Sequence, residues 1–310
     1  KLYKKVRAII MYLFFSISKK YYPYKWFNLN RDIEVLFKWD LKQKNVVTSD
    51  IVFATSVETS FYLNNYKDLD RKNMYYLIQG FENWHWDTNM VIDSWKFDLE
   101  KIVIAPWLKK IGDDLQVKTT LIENGFDFEV FDIDIKIEDK NSNSITMLYH
   151  KNKIKGSEDG FKALNIVKEK HKSLNVILFG TYSEPEGLPD WYTYYQLPSQ
   201  KKLRYLYNSS AIFIGTSHTE GWGLTVGEAM QCGCAVVCTD NDGYKTMAID
   251  NETALVSPIK NPKALSENII KLIDNNHKRM RIAKSGYEYI HKYSIENSFS
   301  KLLNLIENNR

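Results

Sequence analysis

Glu220-Gly221-Trp222-Gly223-Leu224-Thr225-Val226-Gly227-Glu228-Ala229-Met230 places two carboxylates eight positions apart around a glycine-punctuated turn. Upstream, Ala211-Ile212-Phe213-Ile214 is a short continuous apolar run of the kind that forms a buried strand. Downstream, residues 226–231 read as the opening turns of a helix. The segment is therefore strand, tight loop, helix, with Glu220 on the loop and Glu228 about one turn into the helix. Free backbone N–H groups at such a helix start attract phosphate. A carboxylate one turn in faces the same crevice and can accept hydrogen bonds from sugar hydroxyls. That geometry suits a nucleotide diphosphate sugar, with a generic βα turn carrying two surface glutamates as the plainer reading.

Working outward, short apolar strands alternate with helices through the second half of the chain. Strands are expected at 144–149, 175–179, 211–214, 235–239 and 254–256. Helices are expected at 158–171, 199–208, from 226, briefly after Gly243, and at 262–274. This alternation implies parallel pairing with helices on both faces, a doubly wound α/β domain with its ligand crevice beyond the carboxyl ends of the strands. The first half reads as a shorter α/β unit with strands at 33–37, 50–55, 74–79, 101–105 and 117–122. Asn124-Gly125 is a turn signal, and the polar run 138–143 is the best linker. The expected domains are 1–141, 142–293 and a terminal helical segment, 294–310.

The bulk numbers limit the function classes. A chain of 310 residues suits two medium domains or one large one. A net charge of +4, with dispersed basic residues, argues against a dedicated nucleic-acid binder. Cys232, Cys234 and Cys238 have no fourth ligand close by and flank or lie in an apolar strand, so they read as small buried thiols of a reducing compartment. No run is long enough to span a bilayer. The apolar stretch 6–17, flanked by Lys4, Lys5, Lys19 and Lys20, is either an amphipathic helix packed on its own domain or a peripheral membrane contact. The chain begins with Lys, and residues before it are expected to be missing.

The Glu220–Glu228 segment and its continuation, Ala229-Met230-Gln231-Cys232-Gly233-Cys234-Ala235-Val236-Val237, resemble the Glu-x7-Glu signature of the family 4 retaining glycosyltransferases. Lys155-Gly156 and the passage Asn124-Gly125-Phe126-Asp127 through Phe131 are similar to other stretches of that family. The resemblance implies the GT-B fold, two Rossmann-like domains facing an interdomain cleft, with a terminal helix crossing back from about residue 294. The strand and Gly-Gly loop with which members open is not found, so the N-terminal domain is read as incomplete. The phrases Tyr22-Pro23-Tyr24-Lys25-Trp26-Phe27 and Tyr76-Leu77-Ile78-Gln79-Gly80 look like those of bacterial surface-polysaccharide members, rhamnosyltransferases included.

By this resemblance the chain moves a sugar from UDP-hexose or dTDP-rhamnose to an acceptor hydroxyl, without an essential metal or cofactor. The catalytic candidates are Glu220, which would hold donor-sugar hydroxyls, and Lys155, which would face the diphosphate. Gly221, Trp222, Gly223, Leu224 and Thr225 would line the phosphates and sugar, with Trp222 either a pocket wall or a structural aromatic. Glu228 would take the ribose hydroxyls. Family members carry an Arg where this chain has Tyr149 or His150, so either His150 is a weaker substitute or Lys151 or Lys153 reaches in instead. Gly180, Tyr194, Tyr195 and Leu197 are placed near the base. Gln79, Gly80, Glu82, Trp84 and His85, rich in aromatic and hydrogen-bonding groups, form the acceptor-side set. Asp132-Ile133-Asp134 imitates a metal motif but falls in the interdomain stretch. The acceptor is expected to be a glycan or lipid-linked intermediate, and the site of action the cytoplasm or the inner face of the cell membrane. Two alternatives stand: a non-catalytic nucleotide-sugar-binding partner, and a sugar phosphorylase or epimerase on the same fold.

Overall fold

The computed structural model describes residues 6, 10–14, 17–18, 23, 29–38, 40–47 and 49–309. Residues 7–9 and 15–16 of the 6–17 stretch, and all of the phrase 22–27 except Pro23, lie outside them. The chain divides into two compact units, Lys1–Leu77 with Glu82–Lys101, and Ile78–Phe81 with Ile102–Arg310.

In the first unit, β1 (Val52–Ala54) pairs in parallel with β2 (Met74–Ile78) in the register Val52↔Met74. Helices α1 (Val57–Asn64) and α2 (Thr88–Trp95) pack together. A capping box starts α1: Ser56 accepts from the Thr59 amide and the Thr59 side chain accepts from the Ser56 amide. Trp95 and Val91 are fully buried here. The expected strand at 33–37 is absent; Ile33 and Leu36 are exposed, so this apolar run has no sheet face to bury.

The second unit contains the parallel pair of β3 (Glu100–Val103) and β4 (Thr120–Leu121), registered as Ile102↔Thr120, with α3 (Pro106–Asp114) between them in sequence. The strand expected at 117–122 shrinks to these two residues. The larger sheet is built from β5 (Ser144–Leu148), β6 (Asn175–Gly180), β7 (Tyr192–Gln196), β8 (Ile212–Gly215), β9 (Ala235–Thr239) and β10 (Ala254–Ser257). Its order is β10-β9-β8-β5-β6-β7, and every pair is parallel. The central strands β8 and β9 are buried throughout, as near-continuous apolar runs between two helical layers should be. The edge strand β7 was not anticipated; its Tyr-Thr-Tyr-Tyr-Gln sequence fits a half-buried pleated edge.

The connecting helices are α4 (Ser157–Lys170), α5 (Gln200–Asn208), α6 (Leu224–Gln231), α7 (Pro262–Asp274), α8 (Asn276–Ile290) and α9 (Ile295–Asn308). In α4, Glu158 and Asp159 sit in the first turn and Lys168 and Lys170 in the last, matching the macrodipole. Ser199 caps α5, and Asn261 with Pro262 starts α7. Helices α4 and α7 pack together, while α8 covers α6 and β9. Helix α9 is tied to the Glu123–Phe126 stretch: Ser298 Oγ donates to the Glu123 carbonyl at 2.6 Å, and the Ile295 amide to the Phe126 carbonyl at 3.1 Å.

The sheet order reverses between β5 and β8. From β5 the chain proceeds outward through β6 and β7, then returns to β8 and proceeds the other way. Such a switch point opens a crevice at the carboxyl ends of the two strands. The loops leaving β5 and β8 carry Lys155 and Glu220.

Candidate functional site

The β8–α6 loop is anchored from several sides. The Asn241 Nδ2 donates to the Ser217 carbonyl at 2.9 Å, and the Trp107 indole N–H to the Gly221 carbonyl at 2.9 Å. Two glycines are required by what lies against them. A Cβ on Gly221 would fall 2.0 Å from the Gln79 carbonyl oxygen. Gly223 has φ +104°, and a Cβ there would fall 2.5 Å from the ring of buried Tyr244. Gly223 is also the N-cap of α6 and offers no side-chain cap, so the first amides of α6 have no side-chain acceptor.

At the switch point, Lys155 Nζ donates to Glu220 Oε1 at 2.7 Å, and Ser217 Oγ donates to the same oxygen at 2.7 Å. The two charged side chains are 26% and 16% exposed, so the pair is screened less than a surface ion pair. Lys155 ends a short 3-10 turn, Lys153–Lys155, whose geometry is set by Asn152 accepting from the Ile154 amide. His150 is half-buried beside them. Burial, and then the Lys155 charge, push its pKa down, with Glu220 opposing. The His150 Nδ1 accepts from the Asn152 amide at 2.9 Å.

Glu228 lies in the second turn of α6. Its Oε2 accepts from the Tyr207 hydroxyl at 3.0 Å, and Tyr207 is fully buried among Phe131, Phe179 and Phe213. Burial raises the Glu228 carboxyl to about 7, with the Tyr207 hydrogen bond acting in the opposite direction.

The remaining predicted residues fall into distinct settings. Trp222, weighed as a pocket wall, is a packing residue: it is 2% exposed and meets Tyr293 edge-on at 5.2 Å. Leu224 is half-exposed at the start of α6, followed by partly buried Thr225. The Gly180 carbonyl accepts from the Leu197 amide at 2.8 Å, and Leu197 projects into solvent from a left-handed backbone, φ +48°. Tyr195 receives the Lys202 ammonium 4.3 Å from its ring centre, and the Tyr194 hydroxyl donates to the Tyr182 carbonyl. Of the acceptor-side set, Gln79 and Gly80 belong to the second unit and Glu82, Trp84 and His85 to the first. Glu82 accepts from the Val57 amide at the start of α1 at 3.4 Å, and burial raises its pKa. Trp84 and His85 are exposed. Asp132 and Asp134 have protein partners: Tyr287 donates to Asp132, and Arg204 grips Asp134 with two nitrogens at 2.6 and 2.9 Å.

Ser217, Tyr207, Tyr244 and Trp107 were not anticipated. Ser217 had a signal, a hydroxyl three residues before Glu220 in the same loop. The other three reach the site from distant elements, which spacing cannot show.

The sequence profile of the family described as glycosyl transferases group 1 matches residues 131–289, just over half of the chain. The chain belongs to that family. Among the relatives of this chain is CapM, a capsular polysaccharide biosynthesis glycosyltransferase of Staphylococcus aureus. It is 25% identical over 192 residues, 57% of this chain and 49% of CapM. A probable sucrose-phosphate synthase of Thermosipho melanesiensis is 34% identical over 116 residues, 36% of this chain and 26% of the synthase. The chain thus spans half or less of the length of these relatives. Among solved structures, Anabaena HepE in complex with UDP and glucose superposes with a TM-score of 0.71 at 14% identity, covering 84% of this chain and 78% of HepE. The Thermosynechococcus elongatus sucrose-phosphate synthase gives 0.68 at 17%, covering 84% and 73%. The shared architecture is the GT-B fold. No helix among the described residues is long and apolar enough to cross a membrane.

Proposed function

We propose that this glycosyltransferase moves a sugar from a nucleoside diphosphate, UDP-hexose first and dTDP-rhamnose second, to an acceptor hydroxyl in surface-glycan assembly, with retention of configuration. The observation that carries the reading is the Lys155–Glu220 pair at the β5/β8 switch point, beside the uncapped amides of α6. Lys155 and those amides face the diphosphate, where negative charge builds as the bond from the anomeric carbon to the phosphate oxygen breaks. Glu220 accepts from the donor-sugar hydroxyls. The acceptor oxygen bonds to the anomeric carbon from the face that the phosphate leaves, and its proton passes to the departing phosphate oxygen. Cationic stabilisation comes from Lys155 and the amides, without a metal cofactor. The similarity to CapM supports a surface-glycan acceptor.

The test is a thermal-shift panel of UDP, dTDP, GDP and ADP sugars combined with a donor-hydrolysis assay. UDP-glucose at a hundred times its Kd should stabilise the fold by about 2.7 kcal/mol and raise the melting point. A panel with no shift for any nucleotide sugar sinks the reading. The lack of an Arg at Tyr149-His150 favours a second one, a nucleotide-sugar-binding partner without turnover. Binding with no hydrolysis of any donor would select it.

Glu228 gives the binding a pH dependence. Ribose hydroxyls donate to a carboxylate, so the bound form favours the ionised state. The free carboxyl, raised to about 7, is largely protonated at pH 6 and must lose its proton on binding. Donor affinity should therefore climb from pH 6 to pH 8, with proton release measurable by calorimetry in buffers of different ionisation enthalpy. Glu228→Gln should flatten the profile at low affinity; an equally steep profile in that variant would remove Glu228 from the role.

A further inference from the structure

The same β8–α6 loop carries a second side-chain pair that the proposed chemistry does not use. His218 Nε2 lies 2.7 Å from Asp159 Oδ2, with side chains only 16% and 18% exposed. Asp159 is in the first turn of α4, and His218 stands two residues before Glu220. The backbones on either side are stitched together. The His218 amide donates to the Ile154 carbonyl at 2.7 Å, and Thr216 Oγ1 donates to the Lys155 carbonyl at 2.7 Å. Between them sits Gly156 at φ +63°, where a Cβ would fall 2.1 Å from the Thr216 carbonyl oxygen and 3.2 Å from His218 Nε2. The loop and the Lys153–Lys155 turn are therefore in direct backbone contact, and the imidazole closes one side of the seam.

We infer that Asp159 and His218 are positioning residues that hold Glu220 in register with Lys155. This rests on the proposed transferase chemistry. The Thr216 hydroxyl and the His218 amide fix the loop where it leaves β8, but His218 is the residue nearest Glu220 whose side chain is anchored to a helix. Helix α4 is rooted in the core through Ala163, Leu164 and Val167, all fully buried. The pair passes that rigid frame to the loop just before the catalytic carboxylate. Neither residue touches the reacting atoms. Releasing the imidazole frees residues 218–220 to move against Lys155, and Glu220 then no longer sits where the donor-sugar hydroxyls must be held. Glu228 is on α6 and holds the ribose independently of this seam, so nucleotide affinity is left in place.

The experiment compares His218→Ala, His218→Gln, Asp159→Leu and Asp159→Asn with the wild type by donor hydrolysis, UDP calorimetry and thermal melts. Gln sets a donor near the position of Nε2, and Asn keeps an acceptor for it, so both preserve the bond. His218→Ala and Asp159→Leu should lower kcat by about ten- to a hundredfold, as misplacement of a catalytic group does, with the Kd for UDP changed less than about twofold. The Gln and Asn variants should regain most of the rate. Unchanged kcat in either truncated variant overturns the inference, as does a conservative variant no better than its truncated partner. If His218→Ala melts far below the wild type, the Asp159→Asn against Asp159→Leu comparison decides. A wild type that turns over no donor defeats the transferase reading and this role with it, whereas an active wild type matched by His218→Ala defeats only the positioning role.

Discussion

Lys155→Ala lowers the turnover of the nucleotide-sugar donor by about 10²–10³-fold, the usual loss when one preorganised donor to a developing anion is removed. The half-buried ammonium already sits 2.7 Å from Glu220 at the switch point, so its position does not have to be organised during the reaction. Its removal leaves Glu220 Oε1 with only the Ser217 hydroxyl, and an ionised carboxylate then faces a diphosphate with no intervening cation. That repulsion adds to the lost stabilisation. Lys155→Arg keeps the charge but not the compact geometry, and should recover part of the rate. Single-turnover cleavage of radiolabelled donor separates this from slow product release. Less than about a fivefold loss in Lys155→Ala would show that the loop amides alone stabilise the leaving group.

The largest stability effect is expected at Lys140, far from any chemistry. Lys140 is 5% exposed, and its three ammonium protons meet three carbonyls: Tyr207 and Ser210 at 3.2 Å each, and Cys232 at 2.5 Å. Tyr207 and Ser210 are at the end of α5, and Cys232 caps the end of α6. One buried cation thus satisfies the negative ends of two helices. Burial pushes its pKa down, yet the carbonyls keep the charged form useful. Lys140→Ala should cost about 3–5 kcal/mol, combining a cavity with unsatisfied buried acceptors. Lys140→Met fills the stem volume and should cost about 1–3 kcal/mol for the lost bonds alone. Urea unfolding midpoints give both values. A Met variant as stable as the wild type would mean that the desolvation of the ammonium cancels its bonds, as happens at some buried ion sites.

Much of the architecture was legible in the residues. The alternation of short apolar runs with helical stretches from 144 to 274 matched five strands and four helices to within a few positions, because strands buried on both faces and amphipathic helices have different periods. Gly221 and Gly223 announced a close backbone approach, and Gln79 and Tyr244 are what approaches. The first half was harder to read. The 33–37 run is apolar like a strand but is not paired into a sheet, and β7 hid among tyrosines read as ligand contacts. Lys140 shows the limit best: in the sequence it belongs to a polar run that reads as a linker, and in the fold it is among the most buried charges described.

By itself the sequence determined the strand-loop-helix that carries Glu220 and Glu228, since that order depends only on local period, glycine placement and helix starts. Tertiary structure alone decided that Lys155 meets Glu220 sixty-five residues away, that Tyr207 lies under Glu228, and that His218 is fastened to Asp159. Those contacts arise because the sheet reverses direction between β5 and β8 and brings two distant loops to one edge, and a strand order is not encoded in the spacing of any single motif.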